Sequence, residues 1–241
     1  MTTLFISDLH LEANRPEIAD QFLRFLETEA LHAERLYILG DLFESWVGDD
    51  DPNEHYARIK QALRKLTRRG VPVFFMHGNR DFMIGEVFAE ETGGTVIEDP
   101  SIIEIYGNSV LLSHGDAYCT DDVEYQGMRE MSRDPEWQAM MLGKSLEERL
   151  LFAAQARATS KASSSSIKED ITDVNTDAID EALRAAGVYI MVHGHTHRPA
   201  VHDFVVDGQP ARRIVLGDWY DQGSVIRWDE NGPVLASISR E

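Results

Sequence analysis

The sequence predicts an α/β domain that carries a helical insertion, and three observations indicate it. Short apolar β-like runs alternate with amphipathic helical patterns in the first third of the chain, as in βα units. The last third is rich in strand patterns, which favours antiparallel pairing. The stretch 121–170 has no convincing strand and is rich in methionine and leucine. We therefore expect a single domain over 1–241 with a helical insertion at 121–170.

The individual elements follow from hydrophobic periodicity. A first helix over Pro16–Ala30 begins with proline, which suits the first helical position, and places its apolar residues on one face. A second helix over Glu54–Arg69 is followed by Gly70, a typical residue just beyond a helix end. The apolar runs predict eight strands, at Leu4–Asp8, Leu36–Leu39, Val73–Met76, Val110–Ser113, Tyr189–His193, Arg213–Leu216, Ser224–Trp228 and Val234–Ile238.

Charge and cysteine usage narrow the function classes. The net charge is −19, from 42 Asp and Glu against 23 Lys and Arg, which argues against a nucleic-acid partner. The only cysteine, Cys119, cannot form an internal disulfide, and the N-terminus does not read as a signal peptide, so we expect a cytoplasmic protein. Cys119 as a catalytic thiol is an alternative, but no paired base is evident.

Five short segments share one layout: an apolar β-like run that ends in residue types that bind metals. They are FISDLH, YILGDLFE, FFMHGNRD, VLLSHGD and IMVHGHTH. The carboxyl ends of strands are where α/β folds place their sites. Residues two apart in a strand point to the same side, so we expect each Asp-x-His or His-x-His pair to face one ion. The candidate ligands are Asp8, His10, Asp41, Asn79, His114, His195 and His197.

This ligand set indicates a pair of divalent ions. Each motif alone can be a turn or a packing feature, but five in a row after β-like runs are hard to explain by structure alone. The set contains oxygen and nitrogen donors without thiolate, which favours octahedral Mn²⁺ or Fe²⁺ over structural Zn²⁺. Seven ligands suit two ions that share one carboxylate, and we expect Asp41 to be the bridge.

The motif order resembles that of the calcineurin-like metallophosphoesterase superfamily, which reads D-x-H, G-D, G-N-H-[DE], H and G-H-x-H. This resemblance implies an αββα fold with two sheets between helices. It also implies that one metal is bound by Asp8, His10, Asp41 and His197, and the other by Asp41, Asn79, His114 and His195.

One residue departs from the superfamily pattern. The third motif usually has His after Asn, whereas this chain has Arg80. Arginine keeps its proton at working pH, so it cannot protonate a poor leaving group, but its planar fork can clamp phosphate oxygens. The change favours a leaving group that needs no proton, such as a phosphate monoester. We therefore expect cleavage of a pyrophosphate bond, with Asp41, Asn79, Arg80 and His195 as the catalytic residues.

A closer resemblance, carried by SDLHLE, HGNRDF, HGDAYCTDD, TDVN and HGHTHRPAVH, is to the UDP-2,3-diacylglucosamine diphosphatases of lipid A synthesis. It implies hydrolysis of a lipid-linked sugar nucleotide to UMP and 2,3-diacylglucosamine 1-phosphate (lipid X), with two Mn²⁺ ions. It also implies an insertion that acts as a lid and peripheral contact with the cytoplasmic face of the inner membrane, without an obligate protein partner. The implied substrate contacts are Asn79, Arg80, Asp122, Ser160, Ser164, Lys168 and His195.

Two positions depart from that closer pattern. Ser164 stands where a larger amide is usual, and Ile167 stands where lysine is usual, with Lys168 as the neighbouring replacement. Two alternatives stay open at this point. One is another metal-dependent nucleotide pyrophosphatase or phosphodiesterase on the same scaffold, and the other is a non-catalytic scaffold that uses this fold for protein binding.

Overall fold

The computed structural model describes residues 2–164 and 173–240. In these ranges the chain forms two β-sheets flanked by helices. The strands are β1 (Thr3–Ile6), β2 (Arg35–Leu39), β3 (Val73–Met76), β4 (Thr95–Ile97), β5 (Ser101–Ile105), β6 (Asn108–Leu112), β7 (Ile190–His193), β8 (Ala200–Val206), β9 (Gln209–Val215), β10 (Gly223–Asp229) and β11 (Gly232–Ile238). The α-helices are α1 (Pro16–Thr28), α2 (Glu54–Arg68), α3 (Glu86–Thr92), α4 (Val123–Arg133), α5 (Pro135–Leu142), α6 (Leu146–Ser164) and α7 (Thr176–Ala186).

The first sheet has the strand order β11-β10-β1-β2-β3-β4, and the second has the order β5-β6-β7-β9-β8. Strands β1 to β4 run parallel, as βα units require, while β10 and β11 add antiparallel partners at one side. In the second sheet β6, β7 and β9 are parallel, with the antiparallel strands β5 and β8 at the edges. The two parallel groups place their carboxyl ends on the same side of the domain.

The core shows how the layers form. Along β1, Leu4 and Ile6 face a cluster that includes α1 and α2, whereas Phe5 faces the second sheet. This alternation follows from the period of two residues in a strand. On the far side of the second sheet, Leu183 of α7 packs against Met191 of β7. The order helix, sheet, sheet, helix confirms the predicted two-sheet αββα sandwich.

Several predicted boundaries were wrong. Strand β1 ends at Ile6 rather than Asp8, because Asp8 has φ +55°, in the left-handed region that a strand cannot include. Strand β9 begins at Gln209, earlier than predicted. The sequence reading did not identify β4, β5, β8, α3 and α7.

The predicted insertion is helical from Val123 to Ser164, as α4, α5 and α6, and the rest of the predicted range 121–170 lies largely outside the described residues. Two aspartates, Asp122 and Asp134, accept backbone N–H groups at the starts of α4 and α5 and so define where these helices begin. The buried Arg149 of α6 forms an ion pair with Asp50 and donates to the Val47 carbonyl at 2.6 Å. These contacts fasten the insertion to the main domain.

Candidate metal centre

All seven predicted ligands lie in the loops that follow β1, β2, β3, β6 and β7. The sheets bring these five strand ends to one edge of the sandwich, so segments far apart in the chain meet there. Asp8, His10, Asp41 and His114 are buried, while Asn79, His195 and His197 are partly exposed. The centre therefore has a buried floor and one open side.

The backbone at this centre is unusual, and it corrects the geometric argument from strand spacing. Asp8, His10, Asp41, His195 and His197 all have positive φ, between 50° and 67°. None of them lies in a strand, so strand alternation does not set the directions of their side chains, contrary to the prediction from sequence. Asp8 and His10 do share one cluster, which His197 joins. His195 contacts Asn79 instead, so the prediction that the His-x-His pair faces one ion was wrong. Non-glycine residues in the left-handed region are uncommon and cluster at functional sites, where the fold stabilises the strained conformation.

Two glycines leave room for this arrangement. A side chain at Gly78 would collide with the carboxylate of Asp41, and one at Gly194 would collide with that of Asp8. These glycines allow neighbouring loops to approach the two buried carboxylates closely.

We call Asp8, His10, Asp41 and His197 the first subsite. His10 Nε2 lies 3.1 Å from His197 Nε2, and His197 Nε2 lies 3.4 Å from Asp8 Oδ1. His10 Nε2 also lies 3.8 Å from Asp41 Oδ2. The donor atoms of Asp8, His10 and His197 are all close enough together to hold a single ion.

We call Asp41, Asn79, His114 and His195 the second subsite. Asn79 Oδ1 lies 3.0 Å from both His114 Nε2 and His195 Nδ1. His114 Nε2 lies 3.9 Å from Asp41 Oδ2. The same carboxylate oxygen of Asp41 is thus almost equally far from an imidazole of each subsite, as a bridging ligand requires.

The hydrogen bonds of the imidazoles test whether metal ions fit. His114 Nδ1 lies 2.9 Å from the Leu39 carbonyl, which can only accept, so this nitrogen carries the proton. In the neutral ring Nε2 then has a lone pair, and it faces the oxygens of Asn79 and Asp41. Acceptors that converge in this way are stabilised by a cation between them. The buried Asp8 Oδ1 atom, which has no hydrogen-bond donor in the described residues, fits the same interpretation.

The electrostatics of the ligands depend on burial and on their mutual charges. Burial lowers the pKa of His195 to about 3, with a further contribution from His114 when that ring is protonated, so the His195 ring is neutral at physiological pH. Burial alone would lower the pKa of His114, but the carboxylates of Asp41, Asp116 and Asp8 raise it to about 9. The carboxylates therefore concentrate negative charge around His114, which also favours a cation at this position.

The sequence profile of the calcineurin-like phosphoesterase family matches residues 1–199. A UDP-2,3-diacylglucosamine hydrolase of Stenotrophomonas maltophilia (strain R551-3) is 52% identical, with 100% of both chains covered. The chain belongs to the calcineurin-like phosphoesterase family, in the group that contains the UDP-2,3-diacylglucosamine hydrolases. A protein with the same description from Xanthomonas axonopodis pv. citri (strain 306) is 47% identical, over 99% of this chain and 100% of the relative.

Solved structures support the fold of this calcineurin-like phosphoesterase. A structure described as a novel archaeal phosphodiesterase aligns with a TM-score of 0.50 at 13% identity, over 99% of each chain. At that identity the likeness concerns the fold alone. It agrees with the two-sheet arrangement described above.

The residue that departs from the usual family pattern, Arg80, lies beside the bridge. Its backbone N–H donates to Asp41 Oδ1 at 2.8 Å, and the residue is partly exposed. Its carbonyl accepts the backbone N–H of Trp46 at 3.0 Å, which fixes the loop. These two contacts hold the Arg80 backbone against the carboxylate of the predicted bridge.

The structure describes only some of the other predicted substrate contacts. Asp122 is the residue that caps α4, where its carboxylate accepts the Tyr125 N–H at 3.0 Å. Ser160 and Ser164 lie in α6, but their side chains are outside the described part of the structure, and so is Lys168 altogether. The structure thus brings together the seven metal-site residues and the backbone of Arg80. The substrate contacts at Ser160, Ser164 and Lys168 stay predictions.

Three carboxylates that support the ligands were not identified from sequence. Asp81 accepts the backbone N–H groups of Asp41, Leu42, Phe43 and Gly78, at 3.2, 2.8, 3.4 and 2.8 Å. Glu44 lies 2.9 Å from His10 Nδ1, and Asp218 lies 3.5 Å from His197 Nδ1. Asp81 and Glu44 are the last residues of the segments FFMHGNRD and YILGDLFE, so the sequence offered a reason to consider them. Asp218 gives no such signal, because only the fold brings it to His197.

Proposed function

We propose that this chain hydrolyses the pyrophosphate bond of UDP-2,3-diacylglucosamine to give UMP and 2,3-diacylglucosamine 1-phosphate (lipid X). Relatives at about half identity over the full chain carry the matching description. The observation that carries the proposal is the backbone contact of Arg80 with Asp41, at a centre where Asp8, Asp41 and three histidines cluster and Asn79 lies within 3.0 Å of two imidazoles. A cationic fork at this point suits a substrate with two linked phosphates.

We infer that two Mn²⁺ ions occupy the first and second subsites, with Asp41 shared between them. Such a pair of ions, when bound, lowers the pKa of a water molecule and neutralises charge on phosphate oxygens. The chain supplies the positioning. Asn79, Arg80 and His195 lie on the open side and contact phosphate oxygens, and Arg80 stabilises the charge that develops there.

The chemistry of the leaving group determines whether the chain must supply a general acid. If water attacks the uridine-linked phosphorus, the sugar phosphate leaves as a monoester, which is stable without an added proton. Arg80 holds its proton at all working pH values and so suits this direction of cleavage. The neutral His195 remains available as a ligand rather than as an acid.

The insertion supplies an apolar surface for the acyl chains. Large apolar side chains on α4, α5 and α6 are exposed, which is uncommon at this density on a soluble domain. They include Val123, Met128, Met131, Met140, Leu142, Leu150, Leu151 and Phe152. Trp137 and the buried Met141 pack instead against the main domain and hold the insertion in place. We propose that the exposed residues form a lid over the lipid chains, since methionine adapts to irregular apolar shapes.

A lipid-linked substrate also implies a membrane surface. In the described ranges, no helix has the length and apolar character that a bilayer crossing needs. We propose a cytoplasmic protein that touches the inner membrane peripherally, through the same apolar side chains of the insertion. Binding to neutral and anionic vesicles would test this, because the acidic chain should bind neutral vesicles at least as well.

The direct test is Mn²⁺-dependent release of UMP from UDP-2,3-diacylglucosamine. In water enriched in ¹⁸O, attack on the uridine-linked phosphorus places the label in UMP, whereas attack on the other phosphorus places it in lipid X. UDP-glucose, diadenosine tetraphosphate and an aryl phosphodiester serve as soluble comparison substrates. Faster turnover of a soluble substrate than of the diacylated one would instead favour a general nucleotide pyrophosphatase or phosphodiesterase.

The variant Asp41→Asn tests the bridge in the same assay. We expect a loss of several orders of magnitude in kcat, since an amide cannot supply the bridging charge. Asp203→Asn is the matched control. Asp203 lies on the edge strand β8 and is an exposed carboxylate that pairs with Arg212 of β9. Near-full activity of Asp41→Asn would refute the assignment of the bridge.

A further inference from the structure

Helix α4 presents one stripe of three side chains to the metal centre. Tyr125, Arg129 and Arg133 are spaced by four residues, so they lie on roughly one face of the helix. Each of them contacts a different segment that carries a ligand of the second subsite. The helix belongs to the insertion, so the contacts join the insertion to the metal centre.

Tyr125 reaches the segment of His195. Its ring centroid lies 5.6 Å from that of His195, with the two planes tilted by 35°. Its hydroxyl donates to Asp116 Oδ2 at 2.9 Å. One side chain thus touches the His195 ring and the loop that carries His114.

Arg129 reaches the segment of His114. Its Nε lies 3.0 Å from Oδ2 of the fully buried Asp116, two residues after His114. Its Nη2 lies 3.8 Å from Asp99 Oδ2, and the other oxygen of Asp99 accepts the His114 backbone N–H at 3.3 Å. Arg129 therefore lies between two carboxylates near His114, of which Asp99 accepts the His114 backbone N–H.

Arg133 reaches the segment of Asn79. Its Nη2 donates to the carbonyl of Gly78 at 3.0 Å and lies 3.7 Å from Asp116 Oδ2. Gly78 directly precedes Asn79, so Arg133 fixes the backbone from which this ligand projects. With Tyr125 and Arg129, the stripe reaches all three ligands of the second subsite that are not shared.

The first subsite is supported in another way. His10 and His197 turn their Nδ1 atoms to Glu44 and Asp218, which lie outside the insertion, after β2 and β9. Groups that orient metal ligands commonly change metal affinity when they are removed. The two subsites therefore differ in the part of the chain that orients their ligands.

We propose that Tyr125, Arg129 and Arg133 are positioning residues that set the affinity of the second subsite for its ion through their own contacts with the segments that carry His195, His114 and Asn79. The proposal rests on the two-ion centre of the proposed function. It makes the insertion a determinant of metal occupancy as well as a cover for lipid. The two ions should consequently differ in how they respond to changes in α4.

The test is a calorimetric and EPR titration of metal-free protein with Mn²⁺. Wild type should bind two ions. For Arg129→Gln and Arg133→Gln we expect the second Kd to rise by about 10–100-fold, with the first Kd unchanged. Arg133→Lys keeps the charge and a donor, and it should recover part of the affinity. Circular dichroism and thermal unfolding establish that each variant is folded, and Tyr125→Phe is the milder variant if either glutamine variant is not.

Asp50→Asn is the matched control, because it weakens the Arg149 anchor of α6 and leaves the α4 stripe intact. It should retain wild-type affinity for both ions. If it weakens the second ion as much as Arg129→Gln does, the effect is general loosening of the insertion and the inference is wrong. If wild type and the folded stripe variants all bind two ions equally well, the inference fails while the proposed function stands. If wild type binds fewer than two ions, the two-ion centre and the inference both fail.

Discussion

The Nε2 atoms of His10 and His197 face each other at 3.1 Å, while the two Nδ1 atoms point at the carboxylates of Glu44 and Asp218. A carboxylate oxygen can only accept, so its position beside each Nδ1 favours the proton on that nitrogen and leaves the lone pair of the neutral ring on Nε2. Two lone pairs at this distance repel each other unless a cation or a proton lies between them. A cation bound between the two Nε2 atoms would relieve this repulsion.

Removal of metal should for this reason lower stability as well as activity. We expect dialysis against a chelator to lower the thermal unfolding midpoint, and Mn²⁺ to restore it. Ion at about 100 times its Kd contributes about 2.7 kcal/mol to the folded state. Differential scanning calorimetry measures the midpoint. The variant His197→Ala should respond less to Mn²⁺, and an equal response in both proteins would contradict the assignment of His197 as a ligand.

Arg80→Lys should separate charge from geometry at the phosphate site. Lysine keeps one positive charge but loses the planar fork that contacts two oxygens at once. We expect kcat/KM for UDP-2,3-diacylglucosamine to fall by about 10–100-fold, as loss of one charge-assisted contact of about 1.5–3 kcal/mol implies. Mn²⁺ affinity should stay at the wild-type value, since the Arg80 contact with Asp41 comes from the backbone.

Arg184→Lys is the comparison variant for Arg80→Lys. Arg184 is an exposed arginine of α7 that donates two hydrogen bonds to Asp207. The same exchange there should leave kcat/KM nearly unchanged. Equal losses in the two variants would indicate that Arg80 has no special role at the phosphate.

The sequence predicted the position of the centre better than its geometry. The β-like runs before Asp8, Asp41 and His114 do end at one edge of the sandwich, because parallel strands place their carboxyl ends together. The orientation of the side chains depends instead on positive φ at five residues. That conformation is uncommon even for aspartate and histidine, which adopt it more often than most residues, so the sequence alone does not predict it at these five positions.

The prediction of secondary structure from sequence failed where the local pattern was weak or was overlooked. Strand β4 has only three residues, and the edge strand β8 exposes most of its side chains, so neither shows a strong apolar run. Helix α7 was predictable, since Asn175 caps it and Ile179 and Leu183 mark its buried face. The support from Asp218 and from the stripe on α4 depends on contacts between distant segments, which a single sequence does not display.

Asp81→Asn should show that the negative charge of Asp81 stabilises the loop that carries Asp41. The buried carboxylate of Asp81 accepts four backbone N–H groups, among them that of Asp41. An amide offers only one acceptor oxygen and turns an NH₂ group towards N–H donors. We expect a loss of roughly 2–4 kcal/mol in the free energy of unfolding, since hydrogen bonds to charged groups contribute about 1.5–3 kcal/mol each.

Chemical denaturation of the metal-free protein measures this loss without interference from ion binding. Asp41→Asn is the informative comparison, because the Asp41 carboxylate accepts one backbone N–H, that of Arg80, which an asparagine oxygen can still accept. It should reduce activity strongly and stability little. If Asp81→Asn is as stable as wild type, the carboxylate does not hold the loop.

The thiol of Cys119 should be unreactive in the folded protein. Burial, with the negative charges of Asp116, Asp173 and Asp122, raises the pKa of Cys119 to about 12. Only the thiolate reacts with alkylating reagents, so at pH 8 about one thiol in 10⁴ is in the reactive form. Because the pKa is raised, the alkylation rate should increase with pH throughout the range from 7 to 10, without reaching a plateau. Mass spectrometry after iodoacetamide treatment should show no adduct at pH 8 until the protein is unfolded. The variant Cys119→Ser should keep its activity. Rapid modification of the folded protein, or loss of turnover in the variant, would favour the alternative of a catalytic thiol.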